Sequence, residues 1–199
     1  MKITSADFKK GITGEDDILF EETPQVAFIG RSNVGKSSVI NSLVERRDLA
    51  HSSPRPGRTR EVNFFLINKS FYLVDLPGYG YAEGSWEKRD ALIQLIHWYL
   101  QHPEANIRKV VLIIDAKVGL TENDRNMLAL LEQHKRRIVV IANKIDKLKP
   151  NDLKKSLAAI QTEVGDHRLI PYSAEKKIGV GLLTDEIQRK EKALVISKE

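Results

Sequence analysis

Gly30-Arg31-Ser32-Asn33-Val34-Gly35-Lys36-Ser37 fills every fixed position of the pattern G-x-x-x-x-G-K-[ST]. The apolar run Val26-Ala27-Phe28-Ile29 precedes it. Val39, Ile40 and Leu43 follow at helical spacing and predict a helix to about Arg46. A strand therefore delivers the chain to a glycine-rich turn that opens a helix. Such a turn leaves backbone N–H groups unpaired and pointing inward, where they hold the phosphates of a nucleotide together with the helix N-terminus. Gly30, Arg31, Ser32, Asn33, Val34 and Gly35 are the expected cradle. Lys36 is placed to reach the β- and γ-phosphates, and Ser37, followed by Ser38, to set its hydroxyl on Mg²⁺.

Downstream, Val62 to Ile67 and Phe71 to Asp75 are apolar runs split by Asn68-Lys69-Ser70, and they read as a hairpin. The second run ends in Asp75-Leu76-Pro77-Gly78. A carboxylate there can hold Mg²⁺, directly or through water, and Gly78 leaves its N–H free to approach a γ-phosphate. Val110 to Ile114 and Ile138 to Ala142 read as strands buried on both faces. After the latter stands Asn143-Lys144-Ile145-Asp146. The Asp146 carboxylate can accept from both N1–H and the exocyclic amine of guanine. Adenine has no 2-amine and its N1 is an acceptor, so it leaves that carboxylate unpaired, a penalty of about 1–3 kcal/mol or more. Lys144 can lay its stem over the base and Asn143 can tie this loop to the phosphate loop. Leu169 and Ile170 form a last short strand before Ser173-Ala174, where a backbone N–H can donate to guanine O6.

Between the first helix and the hairpin lies His51 to Arg60, with two prolines, a glycine and no apolar face, hence a loop. Several hydroxyls in this loop could complete the Mg²⁺ shell, and Thr59 is the expected one because Gly57 and Arg58 precede it next to the hairpin; with Arg60 and Glu61 also expected around the nucleotide, the loop would order with the γ-phosphate. Helices are expected over Leu92, Ile93, Leu95, Ile96, Tyr99 and Leu100, stopped by Pro103. Others carry Met127, Leu128, Leu130 and Leu131 after a Thr121/Asp124 cap, start near Pro150 or Asn151, and carry Leu182, Leu183 and Ile187. Strands and helices alternate after the hairpin. The fold class is therefore α/β, a three-layer domain whose mostly parallel sheet has one antiparallel edge strand. Ligands on such sheets sit at the carboxyl ends of the strands, where all these loops lie. Residues 1–23 read as an N-terminal arm, docked through Phe8, Ile12, Leu19 and Phe20, and residues 24–199 as the nucleotide-binding domain.

Composition narrows the class. The 199 residues are 41% hydrophobic and 30% charged, ordinary for a globular chain with a sizeable core. No apolar run approaches the roughly 20 residues of a membrane helix, and Met1 to Asp7 lacks the apolar core of a signal peptide, so a cytoplasmic location is expected. There is no cysteine, which excludes disulfides and thiolate chemistry. The five histidines show no metal-ligand spacing. A net charge of +5 permits contact with nucleic acid without requiring it.

The order of these motifs is that of a small GTPase-like domain of the P-loop, Ras-like kind. The chain most resembles the EngB family of bacterial ribosome-assembly GTPases, near Era and EngA, over nearly its whole length. The matching stretches are Gly-Arg-Ser-Asn-Val-Gly-Lys-Ser-Ser at Gly30 to Ser38, Arg-Pro-Gly-Arg-Thr at Arg55 to Thr59, and Asp-Leu-Pro-Gly-Tyr-Gly-Tyr-Ala at Asp75 to Ala82. The family often has Thr where this chain has Asn143, whereas Asn is the commoner residue in GTPases at large. The resemblance implies a GTP/GDP-binding protein acting on the large ribosomal subunit precursor, through RNA or protein, with a connection to cell division and septation that reads as a downstream consequence of failed ribosome assembly; a monomer with no membrane partner is expected.

Many Ras-like enzymes place Gln after the Asp-x-x-Gly glycine to orient the attacking water; here that position is Tyr79. Hydrolysis should be slow, below about 10⁻² s⁻¹. In some related GTPases an Asn at the position of Asn33 helps hold K⁺ beside the phosphates. Here Asn33 is either such a ligand or a residue that stabilises the turn. Charge supplied by a partner is the other route to faster turnover. Arg55, Arg58 and Arg60 surround Thr59, where phosphate contacts would couple RNA binding to GTP. Tyr79, Tyr81 and Trp86 can stack on a base, fill a protein pocket, or pack on the following helix. Two alternatives stay open: a phosphotransferase built on the same phosphate loop, and a GTP-binding scaffold that does not hydrolyse.

Overall fold

A computed structural model describes residues 3–46, 49–50, 61–80 and 86–189, with the backbone alone for 86–89. Among the described residues, seven strands form one sheet: β1 (Ala6–Ile12), β2 (Gln25–Gly30), β3 (Val62–Ile67), β4 (Phe71–Asp75), β5 (Ile107–Asp115), β6 (Ile138–Asn143) and β7 (Arg168–Pro171). Their order is β1-β3-β4-β2-β5-β6-β7. Only β3 runs against its neighbours, antiparallel to β1 and to β4. The helices are α1 (Lys36–Leu43), α2 (Trp86–Gln101), α3 (Glu122–Gln133), α4 (Pro150–Val164) and α5 (Val180–Gln188).

The three layers follow from the two-residue period of the buried strands. Ala27 and Ile29 of β2, Leu112 and Ile114 of β5, and Val140 and Ala142 of β6 share a core with Ile96 and Tyr99 of α2, Leu131 of α3 and Ile160 of α4. The alternate residues Val26, Phe28, Val111, Ile113, Val139 and Ile141 share the other with Val39, Ile40 and Leu43 of α1 and Leu183 and Ile187 of α5. Strands buried on both faces have no polar positions to alternate, so they read as continuous apolar runs. Of the three apolar residues expected on α5, Leu183 and Ile187 are buried, while Leu182 is 54% exposed.

The N-terminal segment differs most from expectation. Residues 6–12 join the sheet as an outer strand, so the antiparallel hairpin strand β3 lies one position in from the edge. Four consecutive exposed residues in β1, Asp7 to Lys10, and a register shift between Phe8 and Lys10 hide the alternation that marks a strand. Charged side chains and a bulge are what an edge strand carries to resist pairing with other chains. Of the four residues expected to dock this segment, Ile12 and Leu19 are buried, while Phe8 and Phe20 are more than half exposed. Phe8 lies against the Phe65 ring at 5.5 Å between centroids.

Candidate nucleotide-binding site

Gly30 ends β2 at the carboxyl edge of the sheet, and Lys36 opens α1 five residues after Arg31. The turn between them needs left-handed backbone at Asn33 (φ 65°) and Gly35 (φ 96°). At Gly35 a side chain has no room: a Cβ there would lie 2.6 Å from Asn143 Nδ2. Asn143 in turn donates from Nδ2 to the Val34 carbonyl (3.0 Å) and accepts at Oδ1 from the Ala174 N–H (3.2 Å). One buried side chain thus joins three loops. Lys144 adds a second strut, donating to the Asn33 carbonyl at 2.9 Å and to Asp115 Oδ2 at 2.7 Å.

The Asp75 loop meets the phosphate loop through backbone. The Ser32 N–H donates to the Tyr79 carbonyl (2.8 Å), and the Tyr79 N–H donates to the Gly30 carbonyl (3.3 Å). Gly78 sits against Ser32, whose backbone N and Cα would both lie 3.3 Å from an added Cβ. Leu76 and Pro77 are buried, and the Leu76 N–H donates to the Phe28 carbonyl. Asp75 and Lys36 are both buried and form an ion pair.

Asp146 follows β6 within a short 3₁₀ turn that buries Ile145. Its Oδ1 accepts from the Ser173 hydroxyl at 2.5 Å, and its Oδ2 lies 3.2 Å from Lys147 Nζ. The Ser173 hydrogen bond first, then Lys147, hold this carboxyl below the usual carboxylate range, so it faces a ligand as an anion. The O6 donor expected at Ser173-Ala174 is already engaged. The Ser173 N–H donates to the Ile178 carbonyl, and the Ala174 N–H donates to Asn143. A base using Ala174 must share that N–H.

The described residues therefore bring together Gly30 to Ser37, Asp75 to Gly78, Asn143 to Asp146, and Ser173-Ala174. Ser38 is exposed on the first turn of α1. Glu61 is exposed at the head of β3 and its carboxylate lies over Gly11 of β1, on the far side of β3 from the phosphate loop. Gly57, Arg58, Thr59 and Arg60, with Arg55 and Tyr81, lie outside the described residues. So does the side chain of Trp86. Of the readings open for Tyr79, packing inside the domain is the one that its 3% exposure fits: it shares a core with Ile96 of α2, and its hydroxyl donates to Asp124 Oδ1 of α3 at 2.7 Å. Burial, then the Asp124 charge, push the phenol well above its ordinary pKa, so it stays a donor.

Sequence reasoning missed Asp115 and Asp124. Asp115 ends β5 as Asp75 ends β4, and that shared position was the available signal. Asp124 was read only as a helix cap, a role it does fill: its carboxylate accepts from the Thr121 N–H and hydroxyl.

The Ser37 hydroxyl and the Asp75 carboxylate are hard oxygen donors. They suit Mg²⁺, which takes one or two protein oxygens and keeps phosphate and water for the rest.

Comparisons with known proteins agree with this geometry. A family model described as a 50S ribosome-binding GTPase matches residues 25–144, and one for the elongation factor Tu GTP-binding domain matches residues 104–193. A probable GTP-binding protein EngB of Clostridium perfringens (strain 13 / Type A) is 43% identical over 188 residues, covering 93% of this chain and 95% of its own. A crystal structure of a probable GTP-binding protein EngB superposes with a TM-score of 0.68 at 25% identity, over 82% of this chain and 96% of that one. Era in complex with MgGDPNP and nucleotides 1506–1542 of 16S ribosomal RNA shares the fold, with a TM-score of 0.68 at 23% identity, over 85% of this chain and 58% of that one. Phosphate loop, guanine-type loop and overall likeness place the chain in one group: it belongs to the EngB family of GTP-binding proteins, within the GTPases.

Proposed function

We propose that this protein is a cytoplasmic, monomeric GTP switch with slow intrinsic hydrolysis, acting in assembly of the large ribosomal subunit. The observation that carries this reading is Asn143. It holds the phosphate loop at Val34 and the Ser173-Ala174 loop at once, three residues before the carboxylate suited to guanine. A phosphotransferase needs the phosphate loop but has no use for this link between base and phosphates.

In this reading the Asp146 anion accepts from guanine N1–H and its 2-amine. The Lys144 stem covers the base while its ammonium stays on Asn33 and Asp115. Lys36 moves from Asp75 to the β- and γ-phosphates, and the Gly78 N–H meets the third phosphate. Asp75, Ser37 and Thr59 are the oxygens that would hold Mg²⁺, directly or through water. When bound, that ion neutralises charge between the β- and γ-phosphates. The Tyr79 phenol is committed to Asp124, so no side chain at this position orients water. Slow turnover, below about 10⁻² s⁻¹, follows. Asn33 is exposed beside the phosphates and is the candidate K⁺ ligand that raises the rate; a ribosomal partner supplying charge is the other.

The name of the matching family model supports a large-subunit partner, and the net charge of +5 suits an RNA-rich one. A cell-division phenotype would then be a consequence of failed ribosome assembly. The test is titration with GTP, GDP and ATP, followed by single-turnover hydrolysis in Na⁺ and in K⁺, with and without large subunits. Guanine nucleotides should bind at least tenfold tighter than ATP, and subunits or K⁺ should speed hydrolysis. Equal ATP affinity refutes the guanine reading. Equal rates in Na⁺ and K⁺, alone and with the partner bound, remove Asn33 from the mechanism.

A further inference from the structure

Tyr79 is fixed at three points, and only one of them is a side chain. Its N–H and carbonyl are held by Gly30 and Ser32 of the phosphate loop, and its hydroxyl by Asp124. Asp124 is 1% exposed, and its position does not depend on Tyr79, because Oδ2 accepts from the Thr121 N–H at 2.8 Å and the Thr121 hydroxyl at 2.6 Å. Arg31 of the phosphate loop reaches toward the same carboxylate, with Nε 4.0 Å from Oδ2. The start of α3 is therefore a rigid post to which the Asp75 loop is tethered. The residue immediately before the tether is Gly78. Next to it, a groove of about 560 Å³ between α2 and α3 is lined by Gly78, Tyr79, Met127 and Leu130, so the tether borders open space on that side.

We infer that Asp124 is a positioning residue for recognition of the third phosphate, acting through the Tyr79 hydroxyl to hold Gly78 in place before the nucleotide arrives. The inference rests on the reading of Gly78 as the third-phosphate donor. A diphosphate does not use Gly78 and gains nothing from the tether. A triphosphate does, and without the tether it must bear the cost of ordering that residue on binding. The two backbone hydrogen bonds of Tyr79 survive loss of the hydroxyl, so the effect is moderate. It also assigns a use to a tyrosine standing where other GTPases carry glutamine: the ring is an anchor, turned away from the water.

The test uses the full chain with Tyr79→Phe, Asp124→Ala and the double variant. Each is titrated with GDP and with a non-hydrolysable GTP analogue, and thermal unfolding confirms folding. Tyr79→Phe keeps the packed ring and removes only the donor. Its affinity for the analogue should fall roughly three- to tenfold, less than the full worth of a hydrogen bond to a charged acceptor because the two backbone hydrogen bonds of Tyr79 remain, while GDP affinity stays within twofold. The double variant should show the same GTP-to-GDP ratio as Asp124→Ala alone, because the two groups act as one unit. Equal losses for both nucleotides would reduce the pair to a stability contact and overturn the inference. So would an unchanged analogue affinity in Tyr79→Phe, or additive effects in the double variant. A wild-type chain that binds ATP as tightly as GTP overturns the guanine switch instead, and leaves this diphosphate–triphosphate comparison intact.

Discussion

Replacing Gly35 with Ala should disable both halves of the site with one methyl group. The backbone at Gly35 has φ 96°, where an L side chain is strained by about 1–2 kcal/mol. The added Cβ would also stand 2.6 Å from Asn143 Nδ2, well inside contact distance. Asn143 cannot retreat without loosening its bonds to the Val34 carbonyl at 3.0 Å and the Ala174 N–H at 3.2 Å. Losing one of these in a buried setting costs about 1–3 kcal/mol. The two effects together come to about 2–5 kcal/mol of folding stability, which at this chain length lowers Tm by roughly 5–15 °C. On the proposed reading GDP affinity should fall at least tenfold, because the loop assigned to the phosphates and the loop assigned to the base are no longer joined. Differential scanning calorimetry and GDP titration measure the two quantities. A Gly35→Ala protein within 2 °C of wild type and within threefold in GDP affinity would refute the claim that Asn143 is held rigidly against the phosphate loop.

Three further outcomes follow from the same geometry. Asp146→Asn keeps an oxygen for the Ser173 hydroxyl but turns a donor toward the base; GTP affinity should fall about 100-fold or more while xanthosine triphosphate, which offers an acceptor at C2, binds more tightly than to wild type, as competition titration would show. Thr121→Ala removes the hydroxyl of the capping box on α3 and should cost about 1 kcal/mol, a Tm loss of roughly 2–4 °C, with guanine selectivity unchanged. Ser173 and Lys147 depress the Asp146 carboxyl below its unfolded value, so its contribution to stability is present above that value and is lost only as pH falls through the lower folded one; GDP affinity should stay level from about pH 8 to about pH 5 and decline only below about pH 4, and a midpoint near pH 6 would point to another group.

Much of the site was legible because its parts are local. Gly30 to Ser37, Asp75 to Gly78 and Asn143 to Asp146 each follow an apolar strand in the sequence, and a strand end fixes where its loop must lie. Asn143 as a tie between loops could be read from its residue type alone. What stayed hidden is non-local. Asp115 meets Lys144 only because β5 and β6 are paired in the sheet, with Asp115 opposite Asn143. Asp124 meets Tyr79 across 45 residues, and a cap residue gives no sign of a second partner. Residues 6–12 failed to announce a strand because an edge strand in this position buries only Ala6 and Ile12 and exposes Asp7 to Lys10. The partner of the Tyr79 ring likewise required the fold: sequence left base stacking, a protein pocket and packing on the following helix open, and α3 supplied the buried acceptor that draws the ring inward.

The central claim is that nucleotide state governs attachment to a ribosomal particle. Co-sedimentation with large ribosomal subunits in a GTP analogue, in GDP and without nucleotide tests it most directly, repeated with Asp146→Asn in the presence of a xanthosine triphosphate analogue. The account predicts retention on subunits with the GTP analogue, release with GDP, and transfer of that dependence to the xanthosine nucleotide in Asp146→Asn. Identical retention in all three nucleotide states would contradict it.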